Sequence, residues 1–129
     1  MPEAESEIGK VVLIDDEKEV SSFFAKVFEN FKHVRFFSSS RARHGIEIAQ
    51  REKPNVVLLD LQMPEINGEE ALKELKPLLP GTKFVMMTGW DDGATKNRII
   101  HEIGVDAYFE KPVDLERVMA KIFELMMVK

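Results

Sequence analysis

The sequence predicts an α/β fold in which a five-stranded parallel sheet is covered by helices on both faces. Three observations carry this. Five short apolar runs alternate with five longer segments of helical periodicity. Two of the runs, Val11-Val12-Leu13-Ile14 and Val56-Val57-Leu58-Leu59, are apolar at every position. Strands read that way when helices bury both sides of the sheet. Right-handed crossovers between parallel strands then distribute the helices over both faces.

In chain order, residues 1–9 are expected to form an acidic disordered tail and 10–129 a single domain, with no further domain after the last helix. Val11–Ile14 is the first strand. Val20, Phe23, Phe24, Val27, Phe28 and Phe31 follow at helical spacing as an apolar stripe assigned to the core. Val34-Arg35-Phe36-Phe37 is the second strand. The second helix is expected over about Ser40–Arg51, capped by the preceding serines and stopped ahead of Pro54. Val56–Leu59 is the third strand. A third helix starts near Gly68, carries Ala71, Leu72 and Leu75 inward, and is punctuated by Pro77 and Pro80-Gly81. Phe84–Met87 is the fourth strand. The fourth helix is expected over Asp92–Ile103, with Asp91 or Asp92 as cap and Gly104 as stop. Ala107-Tyr108-Phe109 is the fifth strand. The last helix begins at Asp114 and buries Leu115, Val118, Met119, Ile122 and Met126.

Composition excludes several classes of function. The chain has 129 residues, 44% hydrophobic and 32% charged, as expected of one globular domain. It has no apolar stretch of membrane-spanning length, and its acidic N-terminus is not a signal peptide. The absence of cysteine removes disulfides, thiol nucleophiles and cysteine-based zinc sites, and is compatible with a cytoplasmic location. A net charge of −5 gives no basic footprint for nucleic acid. His33, His44 and His101 are far apart in the sequence and read as ordinary histidines without a metal role.

Ligands of an open parallel sheet bind at the carboxyl ends of the strands. The first strand ends in Asp15-Asp16, the third in Asp60 and the fourth in Thr88, and the fifth is followed by Lys111-Pro112. The doubly wound strand order 2-1-3-4-5 brings the first, third and fourth strands side by side. Three carboxylates gathered there repel and raise one another's pKa. Lys111 offsets part of that charge. A hard divalent cation with oxygen ligands offsets the rest, and Mg²⁺ suits a site with few carboxylates and an incoming phosphate. A carboxylate can attack phosphorus to form an acyl phosphate. Asp60 is the nucleophile candidate, Asp15 and Asp16 are metal-ligand candidates, and Thr88 and Lys111 can each contact a phosphoryl oxygen.

At these residues the chain resembles the receiver domains of bacterial two-component response regulators, which have a flavodoxin-like fold. The matching pieces are Leu13-Ile14-Asp15-Asp16-Glu17, Leu58-Leu59-Asp60-Leu61-Gln62-Met63-Pro64, Gly68, Met87-Thr88-Gly89 and Tyr108-Phe109-Glu110-Lys111-Pro112, five pieces in order over about residues 9–128. The resemblance implies a phosphorelay protein. Asp60 would be the phosphoacceptor, charged from a phosphohistidine on a sensor histidine kinase or histidine phosphotransfer protein. Asp16 would bind Mg²⁺ directly and Asp15 partly through water, with the Gln62 backbone carbonyl completing the metal site. Thr88 and Lys111 would sense the phosphoryl group, and the Lys111-Pro112 bond would be cis. Tyr108 would turn inward as Thr88 moves, remodelling the face made by the fourth helix, fifth strand and fifth helix for an unknown protein partner.

Some readings are particular to this chain. Gln62 and Trp90 flank the expected phosphoryl position and are assigned to tuning the lifetime of the phosphorylated state. Glu110 is expected to point away from Lys111 by strand alternation. Arg41 and Arg43 read as a solvated helix start, and a monomer or weak dimer is expected. The chain is expected to catalyse only its own phosphorylation and dephosphorylation. An aspartate-nucleophile phosphohydrolase would want a second carboxylate where Gln62 stands. A flavodoxin-like cofactor binder would want a Gly/Ser/Thr-rich loop where Asp15-Asp16-Glu17 stands. A receiver-like module working without phosphate would not need all of Asp15, Asp16, Asp60, Thr88 and Lys111.

Overall fold

The computed structural model describes residues 9–89 and 92–127. The acidic segment 1–8, Trp90 and Asp91 lie outside these residues. The element order is β1 (Gly9–Ile14), α1 (Lys18–Phe28), β2 (Val34–Ser39), α2 (Ala42–Glu52), β3 (Val56–Asp60), α3 (Gly68–Leu78), β4 (Lys83–Thr88), α4 (Gly93–Asn97) running into a π-helical segment (Arg98–Ile103), β5 (Ala107–Glu110) and α5 (Leu115–Met127). The strands form one parallel sheet in the order β2-β1-β3-β4-β5. Gly9, assigned from sequence to the tail, opens β1, where its amide donates to the His33 carbonyl.

Strand alternation divides the core into two layers. Val12, Ile14, Val57, Leu59, Phe84 and Met86 face Ile46, Ala49, Leu72, Leu75 and Ile99 on the side of α2, α3 and the π segment. Val11, Leu13, Leu58, Val85 and Met87 face Phe24 and Phe28 of α1 and Val118, Ile122 and Met126 of α5. Every apolar residue of β1 and β3 in these layers is fully buried, which is why both strands read as unbroken apolar runs.

Several local expectations need correction. The phenylalanine stripe is not all core: α1 stops at Phe28, so Phe31 lies beyond it and is 40% exposed, with its ring 5.0 Å from that of Phe123. Phe23 is similarly half in solvent, edge-on to Phe24. No serine caps α2. Its N-cap is Arg41, Ser39 accepts from the Arg41 amide at 3.1 Å, and the first-turn amide of Arg43 donates to Glu65 at 3.1 Å. A carboxylate from a distant loop thus serves the positive end of this helix. Arg41 and Arg43 remain largely in solvent, as a solvated helix start predicts, and make surface pairs with Glu65 of the β3–α3 loop and Glu74 of α3.

The fourth helix is α-helical only to Asn97 and then widens. The Gly104 amide closes the π segment on the Ile99 carbonyl at 2.8 Å, and Gly104 has φ +92°, a value that favours glycine. Asp92 caps the helix through the Ala94 amide as expected. Lys76 of α3 donates to the carbonyls of Ile103 and Gly104 at 3.0 and 2.7 Å, satisfying the end of the segment.

The turn after β3 is held by a close backbone approach. The Gly68 amide donates to the Leu61 carbonyl at 2.7 Å, and Asn67 caps α3 by accepting from the Glu70 amide at 2.9 Å. A Cβ on Gly68 would run into the Asp60 carbonyl oxygen and lie 2.6 Å from Leu61 Cα, atoms of the backbone that cannot swing away. Gly68→Ala is therefore expected to lower unfolding free energy in denaturant titrations by about 1–3 kcal/mol. Gly81→Ala, whose Cβ meets nothing within 4 Å, should change it by no more than about 0.5 kcal/mol. Equal midpoints for the two variants would contradict this account of the turn.

Candidate functional site

The carboxyl ends of β1, β3 and β4 and the segment after β5 meet at one edge of the sheet. Asp15 and Asp16 directly follow β1, Asp60 is the last residue of β3, Thr88 the last of β4, and Lys111 follows β5. The adjacency of β1, β3, β4 and β5 gathers these positions, so residues up to 96 apart in sequence come into contact. Asp15 and Asp60 are buried, Asp16 is exposed, and carboxylate oxygens of the three lie within 4.8 Å of one another.

Lys111 sits among them. Its ammonium donates to Asp15 Oδ2 at 2.8 Å, to Glu17 Oε1, and at a longer 3.4 Å to Asp60 Oδ2. Two backbone amides help: Glu17 N–H donates to Asp15 Oδ1 at 2.9 Å and Gln62 N–H to Asp60 Oδ1 at 3.1 Å. Burial pushes the Asp60 carboxyl up to about 6, and the Asp15 charge adds to the rise. The Gln62 amide and Lys111 work against it. Burial also raises Asp15, opposed chiefly by its hydrogen bond from Lys111. Burial alone would pull Lys111 down, but its bonds to Asp15 and Glu17 outweigh that and hold it above the usual lysine value.

A cavity of about 320 Å³ opens over this cluster, lined by Asp16, Glu17, Asp60, Gln62, Gly89 and Lys111. Three carboxylates, Asp16, Glu17 and Asp60, line it and Asp15 lies beside them, while Lys111 is the one cation in its lining among the described residues. These are conditions that a hard divalent metal relieves, so the residues present fit such an ion. Thr88 does not line the cavity. It is wholly buried behind it, one residue before Gly89, and its carbonyl accepts from the Lys111 amide at 2.8 Å. By register, Met86 stands opposite Tyr108 and Thr88 opposite Glu110. Alternation from Met86 then puts Thr88 and Tyr108 on the same face of the sheet. The Tyr108 hydroxyl is buried, and the Lys96 ammonium lies 5.2 Å from its ring centroid.

The sequence groups Asp15, Asp16, Asp60, Thr88 and Lys111 at one edge and the resemblance adds Gln62; the structure gathers the carboxylates, Gln62 and Lys111 around the cavity and buries Thr88 outside its lining. Glu110 is exposed and pairs with Lys96 at 3.5 Å, away from Lys111. The Lys111-Pro112 bond is cis. Trp90 lies outside the described residues. Glu17, given no role from sequence, proves to be a direct partner of Lys111; its place beside Asp15-Asp16 was the available signal. A second unforeseen contact is the two-pronged pair of Arg98, in the π segment, with the mostly buried Glu69 of α3 at 2.9 and 3.0 Å. It borders a neighbouring cavity of about 550 Å³ that also reaches Asp16 and Gln62.

The family model of the response regulator receiver domain matches residues 11–123. The chain belongs to the response regulator receiver domain family. This receiver domain is 24% identical over 120 residues to sporulation initiation phosphotransferase F of Bacillus subtilis, a match covering 93% of the chain and 95% of that protein. It is 30% identical over 104 residues to the autoinducer 1 sensor kinase/phosphatase LuxN of Vibrio campbellii, covering 81% of the chain and 12% of LuxN. It spans 53% of several transcriptional regulatory proteins that it matches. In structure it resembles a CheY-like response regulator receiver domain protein from Methanospirillum hungatei JF-1, with TM-score 0.81, 26% identity and coverage of 91% and 92% of the two chains.

The raised Asp60 carboxyl has a sign that can be tested on metal-free protein. Its folded pKa of about 6 lies above an unfolded value near 3.9. Ionising it therefore costs the folded state stability that is fully lost above about pH 6 and intact below about pH 4. In the presence of chelator, Asp60→Asn should raise unfolding free energy at about pH 7.5 by about 1–3 kcal/mol, and the gain should vanish near pH 4. A gain independent of pH, or no gain at neutral pH, would contradict the assignment.

Proposed function

We propose that this receiver domain accepts a phosphoryl group on Asp60 from a phosphohistidine donor and changes its partner-binding face in response. The observation that carries the reading is the position of Asp60. It is a buried carboxylate at the end of the central strand β3, within metal-sharing distance of Asp15 and Asp16 and within reach of Lys111. Its pKa of about 6 leaves most of it ionised, and so nucleophilic, at neutral pH.

A carboxylate oxygen of Asp60 bonds to phosphorus as the phosphorus–nitrogen bond of the donor breaks, and the imidazole leaves with the electron pair. Mg²⁺ at this site supplies charge neutralisation for the phosphoryl oxygens. Asp16, Asp15, Asp60 and the Gln62 carbonyl would hold it. Lys111, paired with Asp15 and within 3.4 Å of Asp60, offsets part of the charge. Thr88 moves toward the new phosphoryl group, and Tyr108, on the same face of the sheet, follows into the space vacated. The Lys96–Tyr108 and Lys96–Glu110 contacts join α4 to β5, the face that this movement would remodel.

The partners that this chemistry requires are a sensor histidine kinase or histidine phosphotransfer protein and a downstream protein, in the cytoplasm. Among the described residues no helix is long and apolar enough to cross a membrane. The chain is read as a switch that catalyses only its own phosphorylation and its loss. Gln62, exposed on the cavity rim, and Trp90 set the lifetime of the phosphorylated state by controlling access of water.

Incubation with Mg²⁺ and acetyl phosphate, followed by intact mass, should show one phosphoryl group on the wild type and none on Asp60→Ala. After donor removal, Trp90→Ala should lose the group several-fold faster. Incorporation by Asp60→Ala would refute the assignment of the acceptor, and an unchanged rate of loss would remove Trp90 from it.

A further inference from the structure

Lys111 carries three N–H donors, and in this structure three carboxylates take them: Asp15, Glu17 and Asp60. The contacts are unequal. Asp60 Oδ2 is 3.4 Å away, beyond the roughly 2.7–2.9 Å of a strong charge-assisted bond. To close on a phosphoryl group at Asp60, the ammonium must loosen one of the other two. Asp15 yields less readily, because its side chain is fully buried and water cannot reach it to replace the lost bond. Glu17 can, because its side chain is 52% exposed and water replaces the lost bond.

Glu17 and Lys111 also stand between two cavities. Both line the cavity over Asp60, and both line a second one of about 500 Å³ between α1 and the start of α5, with Val20, Phe23, Val113 and Leu115. Their ion pair is thus shared by the acidic site and the apolar groove, so parting it alters the lining of both.

We infer that Glu17 is a positioning residue: it holds Lys111 in the unphosphorylated protein, yields it to the phosphoryl group, and so couples filling of the site to the shape of the groove beside α1. This rests on the proposed chemistry at Asp60. Glu17 competes with the phosphoryl group for one ammonium, so neutralising it strengthens binding of a phosphoryl mimic. The neighbouring Glu19 lines the same groove and serves as a control for general charge, since no contact joins it to Lys111 among the described residues.

The test is equilibrium binding of beryllofluoride at saturating Mg²⁺, with backbone amide NMR of the groove residues. Glu17→Gln should bind about five-fold tighter than wild type, the equivalent of a modest ion pair, and Glu17→Ala at least as tightly. Glu19→Gln should stay within about two-fold. In wild type, the Val20, Phe23 and Val113 amides should shift on saturation. In ligand-free Glu17→Gln they should already lie part-way along that shift, and in Glu19→Gln they should not. Equal tightening by Glu17→Gln and Glu19→Gln, or groove amides indifferent to Glu17, would overturn the inference while leaving phosphoryl binding intact. A wild type that does not bind beryllofluoride would overturn both.

Discussion

The site depends on one ammonium group placed among carboxylates that would otherwise repel one another. Lys111 reaches back from the segment after β5 to Asp15 and Glu17 beyond β1 and to Asp60 at the end of β3. Unlike charges this close hold the edge together, but the balance is incomplete. Burial and the Asp15 charge keep Asp60 near 6 even with Lys111 present. The fold therefore maintains a local excess of negative charge, which stability alone would select against and which a divalent metal relieves.

The rest of the architecture makes that edge rigid on one side and adjustable on the other. β1 and β3 are buried on both faces, so Asp15 and Asp60 project from the least deformable part of the molecule. Beyond β4 the structure loosens. α4 is short, its continuation is π-helical, and α3 holds that segment by charge at both ends, through Glu69 on Arg98 and Lys76 on the carbonyls of Ile103 and Gly104. Such polar anchoring can be released and remade more easily than interdigitated apolar packing. That suits an element expected to change between two states.

β1, β3 and β4 were legible because burial on both faces leaves an unmistakable apolar run, and most of the candidate site was legible because its residues sit where those runs end. Asp15-Asp16, Asp60, Thr88 and Lys111 needed no knowledge of side-chain contacts to be grouped, only the rule that a parallel sheet binds at its carboxyl edge. What stayed hidden involved partners far apart in sequence. Nothing local says that Glu65 serves the start of α2, that Glu69 grips Arg98, or that Lys111 prefers Glu17 to a closer approach to Asp60. The π segment was hidden for a different reason. Periods of 3.6 and wider place Ile99 and Ile103 on nearly the same side over so few residues that the pattern does not distinguish them. Phe31 misled because its helical spacing continued past the point where the chain turns toward β2.

The central claim is that crowding of carboxylates, offset only in part by Lys111, defines a place for a divalent cation beside Asp60. Carboxyl-detected NMR of Asp60 across pH, without and with Mg²⁺, measures this directly. The account predicts a midpoint near 6 in metal-free protein, falling below about 4 when Mg²⁺ is added. A midpoint near 4 in the metal-free protein, unmoved by Mg²⁺, would contradict it.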